Sequence, residues 1–254
     1  MTLPKGIVWI TGASSGIGMA LAERMARDGH VVAISARRVD DLQALADRSA
    51  GRIHAFPLDI TDRNGVHAVV DAIERTLGPI GIAVLSAGSY LREKPERFDA
   101  DQLRQMVELN IMGTGHCLEA LIPRMVERKS GAISMVGSVS GYTGLPGGGI
   151  YGGTKSALIT LAEAMAPGLK RKGVAISVIN PGFVKTPLTD KNDFPMPFII
   201  SAEQAADHIV RGLAAGRFDI AFPWQIVWLL KLLRRLPYPL YFALTQRMLR
   251  RPKS

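Results

Sequence analysis

Tyr151 is followed four residues later by Lys155, and Ser138 stands thirteen residues ahead of the tyrosine. A free phenol titrates near pH 10 and is a poor base at neutrality, so a tyrosine that is to move protons needs help. A nearby ammonium supplies it by stabilising the phenolate. Residues four apart on a helix share a face, so Tyr151 and Lys155 can point into one cleft. A serine hydroxyl at a strand end, in Met135-Val136-Gly137-Ser138, could donate to a substrate oxygen as negative charge develops on it. An isolated Tyr-x-x-x-Lys pair is usually no more than a helix surface or core edge. Here it is accompanied by a glycine-rich turn, Thr11-Gly12-Ala13-Ser14-Ser15-Gly16-Ile17-Gly18.

Gly12, Gly16 and Gly18 lie between the apolar run Ile7–Ile10 and a helical pattern. Glycine lets a backbone turn tightly and approach a pyrophosphate, and the helix that follows offers free N–H groups and the positive end of its dipole. Ser14, Ser15 and Ile17 would join the glycines in this cradle. The spacing is G-x-x-x-G-x-G rather than the standard G-x-G-x-x-G. The second strand should end near an adenosine ribose, where a carboxylate would select NAD(H). It runs instead into Ser35-Ala36-Arg37-Arg38. Arginine offers a donor fork suited to a 2′-phosphate, so NADP(H) is expected rather than NAD(H). The alternative is a pair of solvated arginines at a helix start. Asp40 and Asp41 read as first-turn helix residues. Asp59, after the third strand, reads from its position as an N-terminal cap of the next helix.

These residues need a scaffold, and the pattern supplies one. Strand-like runs at 7–10, 31–35, 53–57, 80–85, 132–136, 174–179 and 218–222 alternate with helical patterns at 16–28, 40–49, 62–77, 100–127, 151–171 and 202–215. Apolar strands alternating with helices predict an α/β fold: a Rossmann-like doubly wound parallel sheet of about seven strands, helices on both faces. Residues 186–200, rich in proline, follow the sixth strand at the ligand-binding edge and suit a mobile lid.

With these motifs in order, the chain resembles the single-domain short-chain dehydrogenase/reductases over about residues 5–222. The resemblance rests on the glycine turn, Glu108-Leu109-Asn110-Ile111, Ser138 with Tyr151-Gly-Gly-Thr-Lys155, and Asn180-Pro181-Gly182-Phe183-Val184-Lys185-Thr186. It implies that Tyr151 is the general acid in carbonyl reduction and the base in reverse. Lys155 would lower the Tyr151 pKa and contact the nicotinamide ribose, while Ser138 polarises the carbonyl. Asn110 would support a water that relays protons to Lys155. Asp59 would hold the adenine amino group, and Pro181, Gly182, Val184 and Thr186 the nicotinamide end. Where the family often has Asn-Asn-Ala-Gly, this chain has Leu85-Ser86-Ala87-Gly88; Ala87 and Gly88 still allow close approach to the cofactor. A non-catalytic dinucleotide sensor or membrane scaffold of the same fold is the competing class. A sugar-nucleotide epimerase fits less well, because such relatives carry a larger C-terminal domain.

The 254 residues, 47% of them hydrophobic, suffice for one packed core, and the lone Cys117 rules out an intramolecular disulfide. The N-terminal apolar run is too short for a signal peptide. A cytoplasmic enzyme is expected, without a metal site. The net charge of +9 is concentrated at one end: after Asp219 come seven lysines and arginines and no acidic residue. Residues 1–222 therefore read as the dehydrogenase domain and 223–254 as a basic, apolar helical extension. Its longest uncharged run, Ile220–Leu230, is far short of the ~20 residues of a bilayer span. On a helix, Lys231, Arg234 and Arg235 share a face, with Trp228 at its border and leucines over much of the rest. Residues 223–251 thus suit a membrane surface, or a flap packed on the protein itself or on another subunit. Nucleic acid is not expected, because the charges are interleaved with leucines. A homo-oligomer is implied by the resemblance alone. The substrate, a small carbonyl or alcohol, is expected to be apolar or lipid-like from the tail and from Phe183, Leu188, Phe194, Met196 and Phe198.

Overall fold

The computed structural model describes residues 4–190, 192 and 194–249. Lys191 and Asp193 of the expected lid, and Arg250, Arg251 and Lys253 of the tail, lie outside the described residues. Seven parallel strands form one sheet in the order β3-β2-β1-β4-β5-β6-β7. They are β1 (Ile7–Thr11), β2 (Val32–Ser35), β3 (Ile53–Ala55), β4 (Ile80–Leu85), β5 (Gly131–Val136), β6 (Val174–Pro181) and β7 (Asp219–Phe222). The order reverses between β1 and β4. Chains leaving these two strands must diverge, which opens a crevice at their C-terminal ends.

Successive strand residues face opposite sides, and each side has its own apolar core. Val8 and Ile10 of β1 pack with α1 (Gly16–Arg27), α2 (Val39–Asp47) and α7 (Ala202–Ala214) through Leu21, Met25, Leu42 and Ile209. Ile7 and Trp9 face α3 (Arg63–Thr76), α5 (Gly113–Arg128) and α6 (Gly149–Arg171) through Val70, Leu121 and Leu158. Trp9 is fully buried, and its indole N–H donates to Ser35 Oγ at 3.0 Å, so its one polar atom is satisfied.

The helical pattern expected over 100–127 is interrupted. It divides into α4 (Ala100–Val107), a π turn at Glu108–Met112 and α5. The π turn carries the fully buried Asn110. The third strand is shorter than expected, although its backbone pairing continues through Phe56 and Leu58 N–H to Ile34 and Ala36. Pro57 between them has no N–H to offer.

The tail forms α8 (Trp224–Arg234) and α9 (Tyr238–Leu249), separated at Pro237. Ile226, Val227 and Leu230 of α8 are buried against Val139, Tyr142 and Ile159, forming a third small core. Among the described residues, no helix is long and apolar enough to cross a membrane.

Candidate active site

The glycine turn leaves β1 with Gly12 in the left-handed region, φ +70°, and its N–H donating to Ser35 O at 2.7 Å. A Cβ on Gly12 would lie 2.7 Å from the Ala87 backbone, so the chain leaving β4 runs directly against the turn. Thr11 Oγ1 fixes that approach by accepting from Ser86 N at 3.1 Å and Ala87 N at 3.2 Å. The threonine thereby braces the loop after β4 against the glycine turn. Gly18 lets α1 sit down on the turn: a Cβ there would be 2.5 Å from Gly12 O. Ser15 precedes α1 in extended conformation, and its side chain makes no capping bond. The first-turn N–H groups of α1 are therefore open to an anion, with no acidic side chain in that turn to repel it. From the other side, Thr186 Cγ2 comes within 3.0 Å of where a Gly16 Cβ would be. The backbone cradle thus fits a dinucleotide pyrophosphate, and side chains at these glycines would fill it.

Beyond β2 the two arginines differ. Arg38 Nη2 donates to Ser14 Oγ at 3.0 Å and to Ser14 O at 3.2 Å, while its Nε pairs with Asp41 at 2.6 Å. Arg37 is largely exposed and lies 3.8 Å from Asp59 Oδ2. Ser14, Arg37, Arg38 and Asp59 therefore gather at one corner of the crevice. Asp59 does not cap α3. Its Oδ1 accepts from Thr61 N and Thr61 Oγ1, whereas Asp62 is the cap and accepts from Gly65 N at 3.0 Å. Asp40 and Asp41 occupy the first turn of α2, as expected.

The candidate catalytic residues lie across the crevice. Ser138 follows β5 by two residues in extended conformation, its Oγ accepting from Ser140 N at 3.1 Å. Tyr151 and Lys155 rise from the first turns of α6, with Lys155 Nζ 5.7 Å from the Tyr151 ring centroid. Burial holds the Tyr151 phenol up at about 12, and the Tyr90 phenol adds to the rise; a hydrogen bond from Ser138 opposes it. Burial also pushes the Lys155 ammonium down to about 8. The net Tyr151 shift is upward and set by desolvation, and the group that opposes it is Ser138 rather than the Lys155 expected to do so. Lys155 directs its Nζ to Val136 O at 2.7 Å, pinning the strand end that carries Ser138.

Asn110 fastens the loop after β4 to α6. Its Oδ1 accepts from Ser89 N at 3.0 Å, and its Nδ2 donates to Ser89 O and Thr154 Oγ1 at 3.2 and 3.1 Å. Asn110 and Lys155 meet beside Gly88, where a Cβ would be 3.1 Å from Asn110 Oδ1 and 3.3 Å from Lys155 Nζ. Thr154 also donates to Tyr151 O.

Several neighbours escaped the sequence reading. Tyr90 stands edge-on to Tyr151 with ring centroids 5.1 Å apart. Glu93 accepts from Gly149 N and Ile150 N, both at 2.6 Å, and so caps the helix that bears Tyr151. Asp219 gathers Tyr142 OH, Asn180 Nδ2 and Lys231 Nζ at 3.0, 2.9 and 2.8 Å. No local pattern marks these; only Tyr90, two residues after Gly88, had a positional hint.

The segment after β6 is held down by its own backbone. Ile200 N donates to Phe183 O and Lys185 N to Ile200 O, and Thr189 Oγ1 donates to Val184 O. Pro181, Gly182, Val184 and Thr186 thereby follow the crevice wall. Phe183 and Phe194 meet at 6.0 Å and Arg92 lies over the Phe194 ring, whereas Leu188 and Phe198 face solvent. Met196 is half-buried beside Asn192. Among the described residues, no three His, Cys, Asp or Glu side chains are placed to hold a metal ion.

Comparison with known proteins agrees with this architecture. Residues 6–195 match the short chain dehydrogenase family. An uncharacterised oxidoreductase of Myxococcus xanthus is 35% identical over 242 residues, 94% of this chain and 96% of that protein. One from Staphylococcus epidermidis is 32% identical over 80% of this chain and 89% of its own length. A short-chain dehydrogenase structure from Streptomyces avermitilis superposes with TM-score 0.83 at 25% identity, covering 96% of this chain and 97% of that one. ElxO with NADP bound superposes with TM-score 0.77 at 26% identity, covering 85% and 97%. The chain belongs to the short-chain dehydrogenase/reductase family and is an NAD(P)-dependent oxidoreductase. The Myxococcus and Streptomyces alignments leave too few residues of this chain unmatched to omit the whole of residues 223–254.

Proposed function

We propose that the protein is an NADP(H)-dependent oxidoreductase that interconverts a carbonyl and an alcohol on a small, apolar or lipid-like substrate. The observation that carries this reading is the meeting of Ser138, Tyr151 and Lys155 across one crevice from an open helix N-terminus. Residues 1–222 would be the dehydrogenase/reductase unit and 223–254 an extension.

Gly12, Ser14, Ser15, Gly16, Ile17 and Gly18 would hold the cofactor's pyrophosphate. Arg37 and Arg38 would take a 2′-phosphate, exchanging their present partners Asp59 and Asp41 for it. That ElxO binds NADP supports this choice. Asp59 would hold the adenine, Ala87 and Gly88 would lie against the cofactor, and Pro181, Gly182, Val184 and Thr186 would embrace its nicotinamide end. When bound, the nicotinamide supplies or accepts the hydride. In the reductive direction Ser138 donates a hydrogen bond to the carbonyl oxygen and Tyr151 gives it the phenolic proton. A phenol that stays protonated well above neutrality is ready to act as the acid without prior charging. Lys155 then stabilises the phenolate, and Asn110 holds the geometry and supports the route by which the proton is replaced. Phe183 and Phe194 give the crevice mouth an apolar wall. A homo-oligomer in the cytoplasm, peripheral to a membrane, completes the reading.

The test is titration with NADPH and NADH, then NADPH oxidation against aliphatic, aromatic and steroidal ketones. Tyr151→Phe should abolish turnover and spare NADPH binding. Replacing Arg37 and Arg38 together by alanine should weaken NADPH by about 100-fold or more and leave NADH nearly unchanged, since charge-assisted bonds are each worth ~1.5–3 kcal/mol. NADPH binding without turnover on any ketone would favour the sensor class instead.

A further inference from the structure

Surface helices turn their apolar stripe inward and their polar residues outward. Helix α8 is apolar on both sides. Its inner stripe, Ile226, Val227 and Leu230, is buried. Opposite it, Trp224, Trp228 and Leu232 recur at every fourth residue and are 68%, 66% and 61% exposed, with Leu229 beside them at 54%. Lys231 and Arg235 lie along one border of that outer stripe. Helix α9 is held through Tyr241, whose hydroxyl donates to Gly144 O, and through the buried Thr245. It leaves Tyr238, Leu240, Phe242, Leu244 and Met248 exposed. The charge here has one sign. Lys231 is paired with Asp219, while among the described residues no carboxylate pairs Arg234, Arg235 or Arg247. The sequence adds Arg250, Arg251 and Lys253 and no acid.

We propose that the outer faces of α8 and α9 form a docking surface for an anionic phospholipid bilayer. Exposed tryptophan, tyrosine and leucine beside unpaired arginines is the composition that an acyl–headgroup boundary accepts, rings at the interface and cations at the phosphates. A second copy of the chain suits it less well, because a two-fold contact through this face would set like charges against like. The surface also bears on the active site. The buried side of α8 touches Val139, next to Ser138, and Ile226 lies 2.7 Å from where a Gly182 Cβ would be. One helix diameter, ~10 Å, thus separates the outer face of α8 from the loops that line the crevice. A docked molecule would draw apolar substrate from the bilayer; that last step rests on the function proposed above, and the docking does not.

The protein carries its own reporters. Of its three tryptophans, Trp9 is fully buried and Trp224 and Trp228 are exposed, so a change in emission on docking comes from α8. The full chain is mixed with vesicles of phosphatidylcholine alone or of phosphatidylcholine with phosphatidylserine, and both emission and co-sedimentation are read. The expected result is a blue shift and sedimentation with the mixed vesicles, reversed by high salt. Arg234→Gln, Arg235→Gln and Arg247→Gln together should weaken binding on the order of 100-fold, at about fivefold per charge near the headgroups. Trp224→Ser with Trp228→Ser and Leu232→Ser should abolish binding while melting like the wild type, because these side chains support no core. Absence of binding, or equal binding to both vesicle types, would overturn the proposal. So would a blue shift that follows protein concentration without lipid, which would assign the face to a second copy. Tyr151→Phe should still bind vesicles, so failure of the catalytic reading would not be mistaken for failure of this one.

Discussion

Alanine in place of glycine inside a helix ordinarily stabilises it by ~1 kcal/mol, and Gly18 should reverse that sign. Its backbone has no need of glycine's left-handed conformations, so the whole effect comes from space. A Cβ at Gly18 would stand 2.5 Å from Gly12 O, a backbone atom that cannot swing aside. Real Cβ contacts rarely close below 3.0 Å, so α1 must back away from the turn by at least about half an ångström. Overpacking of that kind costs ~1–3 kcal/mol, enough to cancel the propensity gain and usually to exceed it. Gly168 on α6 is the control: it is helical, and an added Cβ there would meet nothing within 4 Å. At ~2–4 °C per kcal/mol for a chain of this size, Gly168→Ala should raise Tm by a few degrees, and Gly18→Ala should lower it or leave it unchanged. The same displacement would stretch hydrogen bonds from the α1 N-terminus to a phosphate beyond useful length, so NADPH affinity should fall by at least ~10-fold in Gly18→Ala only. Thermal melts and NADPH fluorescence titration of the two variants decide the matter. If Gly18→Ala melts as high as Gly168→Ala and binds NADPH like the wild type, the close seating of α1 on the turn is wrong.

Asp219→Ala would leave the buried Tyr142 hydroxyl and the buried Asn180 amide without their acceptor. At ~1–3 kcal/mol for each orphaned group, Tm should drop by roughly 10 °C, whereas Lys231→Met, which removes only the half-exposed partner, should shift it little. Lys155→Met should abolish turnover, and its stability should show a particular pH dependence. Native Lys155 sheds its proton near 8 and the unfolded lysine near 10.5, so between those values the unfolded state binds more protons and the wild type gains stability relative to the variant as pH rises. Urea melts of both proteins at pH 7 and pH 9.5 test that sign; a gap that moves the other way would refute it. Glu93→Ala removes the acceptor for two first-turn N–H groups of α6 and should cost ~1–2 kcal/mol by urea melt, with a loss of turnover because Tyr151 stands in that turn.

What the sequence made legible was local. The strand–turn–helix of residues 7–27 and the Tyr151–Lys155 spacing on α6 depend on neighbours a few residues away, so their patterns survive without a structure. The partners missed are distant in the chain: Glu93 with Gly149, Thr11 with Ser86, and Asp219 with Tyr142 and Asn180. Each is a polar residue of ordinary type in an undistinguished context, and only folding makes it specific. The π turn at Glu108–Met112 also lacks a signature, since one extra residue in a helical turn barely disturbs apolar periodicity. The tail stayed open between alternatives for a different reason. Its leucines, tryptophans and isoleucine fill two faces, and periodicity cannot say which face a neighbour will cover. Val139, Tyr142 and Ile159 chose Ile226, Val227 and Leu230, which left the tryptophans outside.

The polar groups that folding treats worst lie near the crevice rather than in the two large cores. Lys155 is buried and depressed, the half-buried Tyr151 has its phenol raised by desolvation, and Asn180 Oδ1 has no partner in its fully buried place. Each would be more comfortable as an apolar residue of similar size, so stability alone would not keep them. Asn180 shows why position matters. Its Nδ2 is fixed by Asp219, its Oδ1 lies 2.4 Å from where a Gly137 Cβ would stand, and Pro181 follows it. The asparagine side chain therefore packs against Gly137, just before Ser138, while its backbone leads into the segment proposed to embrace the nicotinamide. Asp219 also accepts from Lys231 on α8. Through Lys231 and Asp219 the lipid-facing helix proposed here is hydrogen-bonded to Asn180, which packs against Gly137 and precedes Pro181, so a change in how α8 sits should be felt at that end of the crevice.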